Sequence, residues 1–177
     1  MAVLQVIKDF FSPAVISEPS EVIPAQFTSY EIKPLTTKDL SDVIALNARC
    51  FTNGDNYTRH TFNFLLTDPK TLAYRLITAD GKMAGFLVVM LTPDGAAHLT
   101  TIGIAPEHRR RGLAEKMLAH LESVLKTKAV STIVLEVRVS NLSAQQLYKK
   151  NGYSMVQRVT AYYNDGEDGY LMMRSIV

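Results

Sequence analysis

The stretch His108-Arg109-Arg110-Arg111-Gly112-Leu113-Ala114 follows an apolar run at residues 99–104 and opens a segment in which Leu113, Met117, Leu118, Leu121 and Leu125 recur at helical spacing. A strand here passes through a Gly-containing turn into a helix. Such a turn leaves several backbone N–H groups without intrahelical partners, aims them at one point, and adds the positive end of the helix dipole. The reading is a cradle for a pyrophosphate, with Gly112 and Ala114 small enough to let the anion reach the backbone. Three arginines ahead of a helix also fit a solvated cap or a small nucleic-acid patch. The rest of the chain has to decide between these.

Outward from that stretch, the pattern alternates between strand and helix. Residues 30–34 read as a first strand, and Thr36-Thr37-Lys38-Asp39 has the form of a capping box. The helix it starts has one apolar face, made by Leu40, Val43, Ile44, Leu46 and Phe51, and ends at Asn53-Gly54-Asp55-Asn56. A second helix covers residues 58–66. Strands at residues 72–78 and 83–91 meet at Asp80-Gly81, a strong hairpin signal, and Pro93-Asp94-Gly95 leads into a strand at residues 97–104. After the cradle helix come a strand at residues 132–137, a helix at residues 143–150 closed by Asn151-Gly152, and strands at residues 153–163 and 170–174. The order predicts an α/β (α+β) domain with a mixed sheet and helices on both faces.

Composition bounds the partners. The chain has 177 residues, 47% of them apolar, enough for one domain with a proper core, expected at residues 29–177. Residues 1–28 read as an arm, with Val3, Leu4, Val6, Ile7, Phe10 and Phe11 at helical spacing, followed by a proline-bearing linker. The arm is expected to dock on its own domain or on a second copy, which makes the protein a monomer or a weak homodimer. Nineteen basic and seventeen acidic side chains leave a formal charge of +2, so no nucleic-acid partner is expected. One cysteine, Cys50, and four scattered histidines predict no metal and a reducing, cytoplasmic setting. No apolar stretch approaches the roughly twenty residues of a membrane span, so no membrane is expected.

Glu136 stands inside the apolar strand Leu135-Glu136-Val137-Arg138-Val139-Ser140-Asn141, where an ionisable group is costly unless used or paired. Tyr148 follows on the next helix, where a core tyrosine with its hydroxyl at the edge is the plain reading. Cys50 lacks an adjacent histidine and is a poor candidate for a nucleophile.

The words Arg-Arg-Arg-Gly-Leu-Ala, Leu-Glu-Val-Arg-Val-Ser-Asn, Leu-Tyr-Lys-Lys-Asn-Gly-Tyr and Tyr-Tyr-Asn-Asp-Gly-Glu-Asp-Gly-Tyr-Leu-Met occur in this order across residues 109–172. With them, residues 30–177 resemble the GCN5-related N-acetyltransferase (GNAT) superfamily, and residues 135–148 its branch of bacterial ribosomal-protein alanine and archaeal protein N-terminal acetyltransferases. The resemblance implies a mostly antiparallel sheet of about seven strands, splayed between strands 4 and 5. It also implies acetyl-CoA as cosubstrate and a protein or peptide N-terminus as acceptor, a ribosomal protein among the candidates.

Glu136 then stands at the general base and Tyr148 at the acid that protonates the leaving thiolate. Arg109, Arg110, Arg111, Gly112, Leu113 and Ala114 would hold the pyrophosphate, with Asn141 and Tyr148 along the pantetheine arm. Backbone N–H groups near Ile102, Gly103 and Ile104 would polarise the thioester oxygen. Tyr162, Tyr163 and Glu167 would grip the acceptor from one side and Phe51, Asn56 and Tyr57 from the other. The loop at residues 52–57 lacks the proline of the resembled enzymes. A lysine side chain, a small amine, or a non-catalytic acyl-CoA sensor are the alternative readings of the same fold.

Overall fold

A computed structural model describes residues 22–51 and 56–176. The expected arm at residues 3–11, the first part of the linker and the turn at residues 53–55 lie outside the described residues. The described elements are β1 (Tyr30–Pro34), α1 (Leu40–Cys50), α2 (Arg59–Thr67), β2 (Thr71–Thr78), β3 (Met83–Leu91), β4 (Ala97–Ile104), α3 (Leu113–Thr127), β5 (Thr132–Arg138), α4 (Leu142–Lys150), β6 (Ser154–Val159) and β7 (Gly169–Ser175). Short 3-10 turns at Thr37–Asp39 and Pro106–His108 precede α1 and the cradle.

Local sequence explains most of these boundaries. The Thr36 N–H and hydroxyl both donate to the Asp39 carboxylate, at 2.9 and 3.0 Å. Asp39 is also ion-paired to Arg75 on β2. The box therefore closes a single 3-10 turn, and α1 begins one turn later than the sequence pattern places it. Thr58 caps α2 by accepting from the Thr61 N–H at 3.1 Å. One strand expectation is corrected. A strand reaching residue 163 is not formed, because β6 stops at Val159 and Ala161 turns the backbone to a φ of 48°.

Seven strands form one sheet in the order β1-β2-β3-β4-β5-β7-β6, antiparallel everywhere except between β4 and β5. Strand β3 is buried on both faces, as a central strand should be. Its side chains alternate between two cores. Phe86 and Val88 pack with Val43, Leu46, Phe62 and Leu65 of α1 and α2. Leu87 and Val89 pack with Met117, Leu118, Leu121 and Leu125 of α3 on the other side. Each fully buried leucine in that stripe contributes about 1.5–3 kcal/mol by area removed from water. No helix among the described residues is long and apolar enough to cross a membrane.

The sheet is open at its centre. Strand β4 pairs with β3 along its whole length, but with β5 only at Ala97↔Ile133 and His98↔Val134. Beyond that point the two strands diverge. The divergence starts where the β3–β4 register shifts, with Thr100 as the extra residue between Leu99 and Thr101, and a bulge there bends its strand. The freed Thr100 carbonyl accepts the Tyr57 hydroxyl at 3.1 Å.

Candidate active site

A cavity of about 870 Å³ occupies the wedge between β4 and β5, running from the turn after β4 to the β6–β7 loop. Ile102, Gly103 and Ile104 form one wall, on the β4 edge that no strand covers. Gly103 is required there. A Cβ on it would fall 2.6 Å from the Phe86 ring and 3.0 Å from the Cys50 sulfur.

At one end of the wedge, the turn into α3 takes positive φ twice, at Arg110 (63°) and Gly112 (70°). Alternation of this kind turns successive amides toward one side, the arrangement that binds anions. The amides of Arg110, Arg111, Gly112, Leu113 and Ala114 donate to no backbone carbonyl among the described residues. Arg109, Arg110, Gly112, Leu113 and Ala114 all line the cavity. The Arg109 guanidinium is turned back onto the Ile104 and Cys50 carbonyls, at 3.1 and 3.4 Å, bracing the turn. Arg111 offers the cradle its amide and not its side chain. Its side chain leaves the cavity, donates to the Ala25 and Gln26 carbonyls and to the Tyr30 hydroxyl, and faces the Phe27 ring at 5.4 Å. It holds residues 25–27 against the domain.

Glu136 of β5 and Tyr148 of α4 both line the wedge. The Glu136 side chain is only 5% exposed. Its Oε2 lies 2.7 Å from Nε2 of His98, itself buried, while its Oε1 is buried without a hydrogen-bond partner. One carboxylate oxygen is thus held and the other accepts from no protein donor among the described residues. Tyr148 is buried, and burial, with neighbouring Tyr153 as the second cause, pushes its phenol well above the ordinary value. Asn141 lines the same wall and caps α4, its Oδ1 accepting from the Ala144 N–H at 3.0 Å. Cys50 also lines the cavity. Burial lifts its thiol to about 11, and it donates to the Ile104 carbonyl at 3.3 Å, so at neutral pH it is a thiol.

At the far end, Phe51 and Tyr57 from one side and Tyr162 and Tyr163 from the other line the cavity. Tyr162 lines the cavity together with Glu136, and burial, then the charge of Glu136, pushes its phenol upward. Two expected contacts lie off the cavity wall. Asn56 receives the Asn47 amide at 3.3 Å, and Glu167 is paired with Arg138 at 2.7 Å. His98 and Arg138 are the residues that sequence reasoning passed over. Only Arg138 carried a signal, since it follows Glu136 by the strand period of two and so shares its strand face.

A family model described as the Acetyltransferase (GNAT) family matches residues 40–153. The chain belongs to that family. It is an acetyltransferase of the GNAT type. An N-alpha-acetyltransferase of Saccharolobus solfataricus is 31% identical over 150 residues, covering 78% of this chain and 88% of that protein. The crystal structure of the ribosomal-protein-S18-alanine N-acetyltransferase from Escherichia coli superposes with a TM-score of 0.76 at 31% identity, covering 84% of this chain and 94% of the other. Ard1 from Thermoplasma volcanium shares the fold, with a TM-score of 0.77 at 23% identity over 84% of this chain and 98% of the other.

Proposed function

We propose that this GNAT protein transfers acetyl from acetyl-CoA to the α-amine of a protein or peptide N-terminus, within a ternary complex. The observation that carries the reading is that a buried Glu136, with one oxygen held by His98, and a buried Tyr148 line the same wedge. The names of the Saccharolobus solfataricus and Escherichia coli relatives, an N-alpha-acetyltransferase and a ribosomal-protein-S18-alanine N-acetyltransferase, support the choice of acceptor.

An α-ammonium has a pKa near ~8, so much of it is protonated at neutral pH and cannot attack. Glu136 Oε1 receives that proton through a water, and His98 holds the other oxygen. The freed amine forms a bond to the thioester carbon, with backbone N–H groups near Ile102, Gly103 and Ile104 facing the developing oxyanion. When the carbon–sulfur bond breaks, Tyr148 gives its proton to the departing thiolate. The second amine proton leaves to solvent, Glu136 releases the first one there through the same water, and Tyr148 is reprotonated from solvent. The amides of residues 110–114 would receive the pyrophosphate, with Arg109 bracing their turn.

The test is free-thiol release from acetyl-CoA with short peptides that differ at residue one, with free or blocked N-termini and with or without lysine. Turnover that requires a free α-amine is the expected result. Turnover that survives a blocked terminus but needs lysine overturns the N-terminal reading, and binding without any turnover favours a sensor.

A further inference from the structure

The geometry points to Arg138 as a positioning residue, a buried guanidinium latch that fixes the Tyr162–Tyr163 wall over the acceptor and so sets acceptor affinity. The inference rests on the reading of that wall as the acceptor side of the site.

Arg138 ends β5, two residues beyond Glu136 on the same strand face, and its side chain is 8% exposed. A charge removed from water to that degree is costly unless its partners are fixed. Its Nη1 donates to Asp165 Oδ2 at 2.8 Å and to Glu167 Oε2 at 2.7 Å, and its guanidinium lies 4.0 Å from the centre of the Tyr163 ring. A planar, weakly hydrated cation can satisfy two carboxylates and cover an aromatic face at once; a compact ammonium cannot.

Both sides of the latch are anchored. Gln145 donates to the Arg138 and Val139 carbonyls, at 3.0 and 2.9 Å, which holds the strand end. Glu167 Oε1 accepts from the Ser140 N–H at 2.7 Å, and Asp165 Oδ1 accepts from the Glu167 N–H at 3.0 Å, which holds the loop. Tyr163 in turn packs edge-on against Tyr162, with ring centres 5.0 Å apart, and Tyr162 lines the cavity together with Glu136. The latch therefore lies one ring away from a residue that lines the wedge with the base. Its guanidinium is engaged with Asp165, Glu167 and Tyr163 of the loop before β7, so the effect is expected on the acceptor and not on cosubstrate binding.

The test compares R138M, R138K and the double variant D165N/E167Q with wild type, measuring peptide KM, kcat and the acetyl-CoA Kd in the full-length protein. R138M and the double variant should raise peptide KM about tenfold or more, with kcat within about threefold and acetyl-CoA Kd within about twofold. R138K should fall between them and wild type. Folded variants with wild-type KM overturn the latch. So does a joint loss of kcat, KM and acetyl-CoA affinity in both R138M and the double variant, which would be general loosening. Where R138M fails to fold, the double variant, which keeps the buried guanidinium, carries the test. The wild-type control separates this inference from the one beneath it: if only lysine or a small amine is acetylated, the N-terminal reading fails, and the KM comparison is made on that acceptor.

Discussion

At one end of the wedge the groups offered to a ligand are the backbone amides of residues 110–114, aimed by two positive φ angles within three residues of chain. Along the rest of it they are side chains, fixed by pairs that span 38 residues for His98 and Glu136 and 27 for Arg138 and Asp165. A backbone site is indifferent to most side chains around it but intolerant at the glycine that shapes it. A side-chain site reverses this. Its geometry survives local changes and fails when either member of a distant pair is lost.

The largest break in this comparison should come from Glu136→Gln. It keeps shape and removes the proton acceptor, so kcat should fall by about 10²–10⁴ while acetyl-CoA affinity holds. Steady-state thiol release beside calorimetric binding reads both; a variant with wild-type turnover would dismiss Glu136 as base. Next, Tyr148→Phe should lower kcat by roughly 10–100-fold. Burial raises the Tyr148 phenol above its ordinary value, so the proton it donates is present at every pH below that raised value. The pH–rate profile between about 7 and 9 should therefore keep its shape in the variant. A changed alkaline limb would show that Tyr148 titrates there.

At the backbone end, Gly112→Val meets no neighbouring atom but must hold a φ of 70°. Strain of about 1–2 kcal/mol should weaken acetyl-CoA binding roughly tenfold, with kcat at saturation retained. The smallest effect belongs to Arg111→Met. Its guanidinium faces residues 25–27 and not the cavity, so acetyl-CoA Kd should move by less than about threefold while proteolysis near residues 22–28 accelerates. A large loss of acetyl-CoA affinity would return Arg111 to the cradle.

The same contrast explains what could be read from the chain beforehand. The α3 stripe, the Asp80-Gly81 hairpin and the anion-binding turn are encoded in consecutive residues, and residue spacing alone places them. The path of the Arg111 side chain was not legible, because a side chain's direction depends on what else is near, here the Ala25 and Gln26 carbonyls. His98 carried no spacing signal, since its partner is brought alongside only by the β4–β5 pairing. The overrun of β6 has a local cause: Tyr, Thr and Val favour strands, but the loop's carboxylates bind Arg138 and Arg158 and draw the chain off its extended path.

Strands β4 and β5 share only two paired positions, so the sheet is in effect a four-stranded and a three-stranded half that meet at a point. A ligand that lays amides along the bare edge of β4 completes the sheet. Some of the free energy that holds the two halves together is then deferred from folding to binding. At a hundred times its Kd, such a ligand adds about 2.7 kcal/mol to the folded state. The stability of the folded molecule would then rise and fall with the concentration of that ligand, through mass action alone.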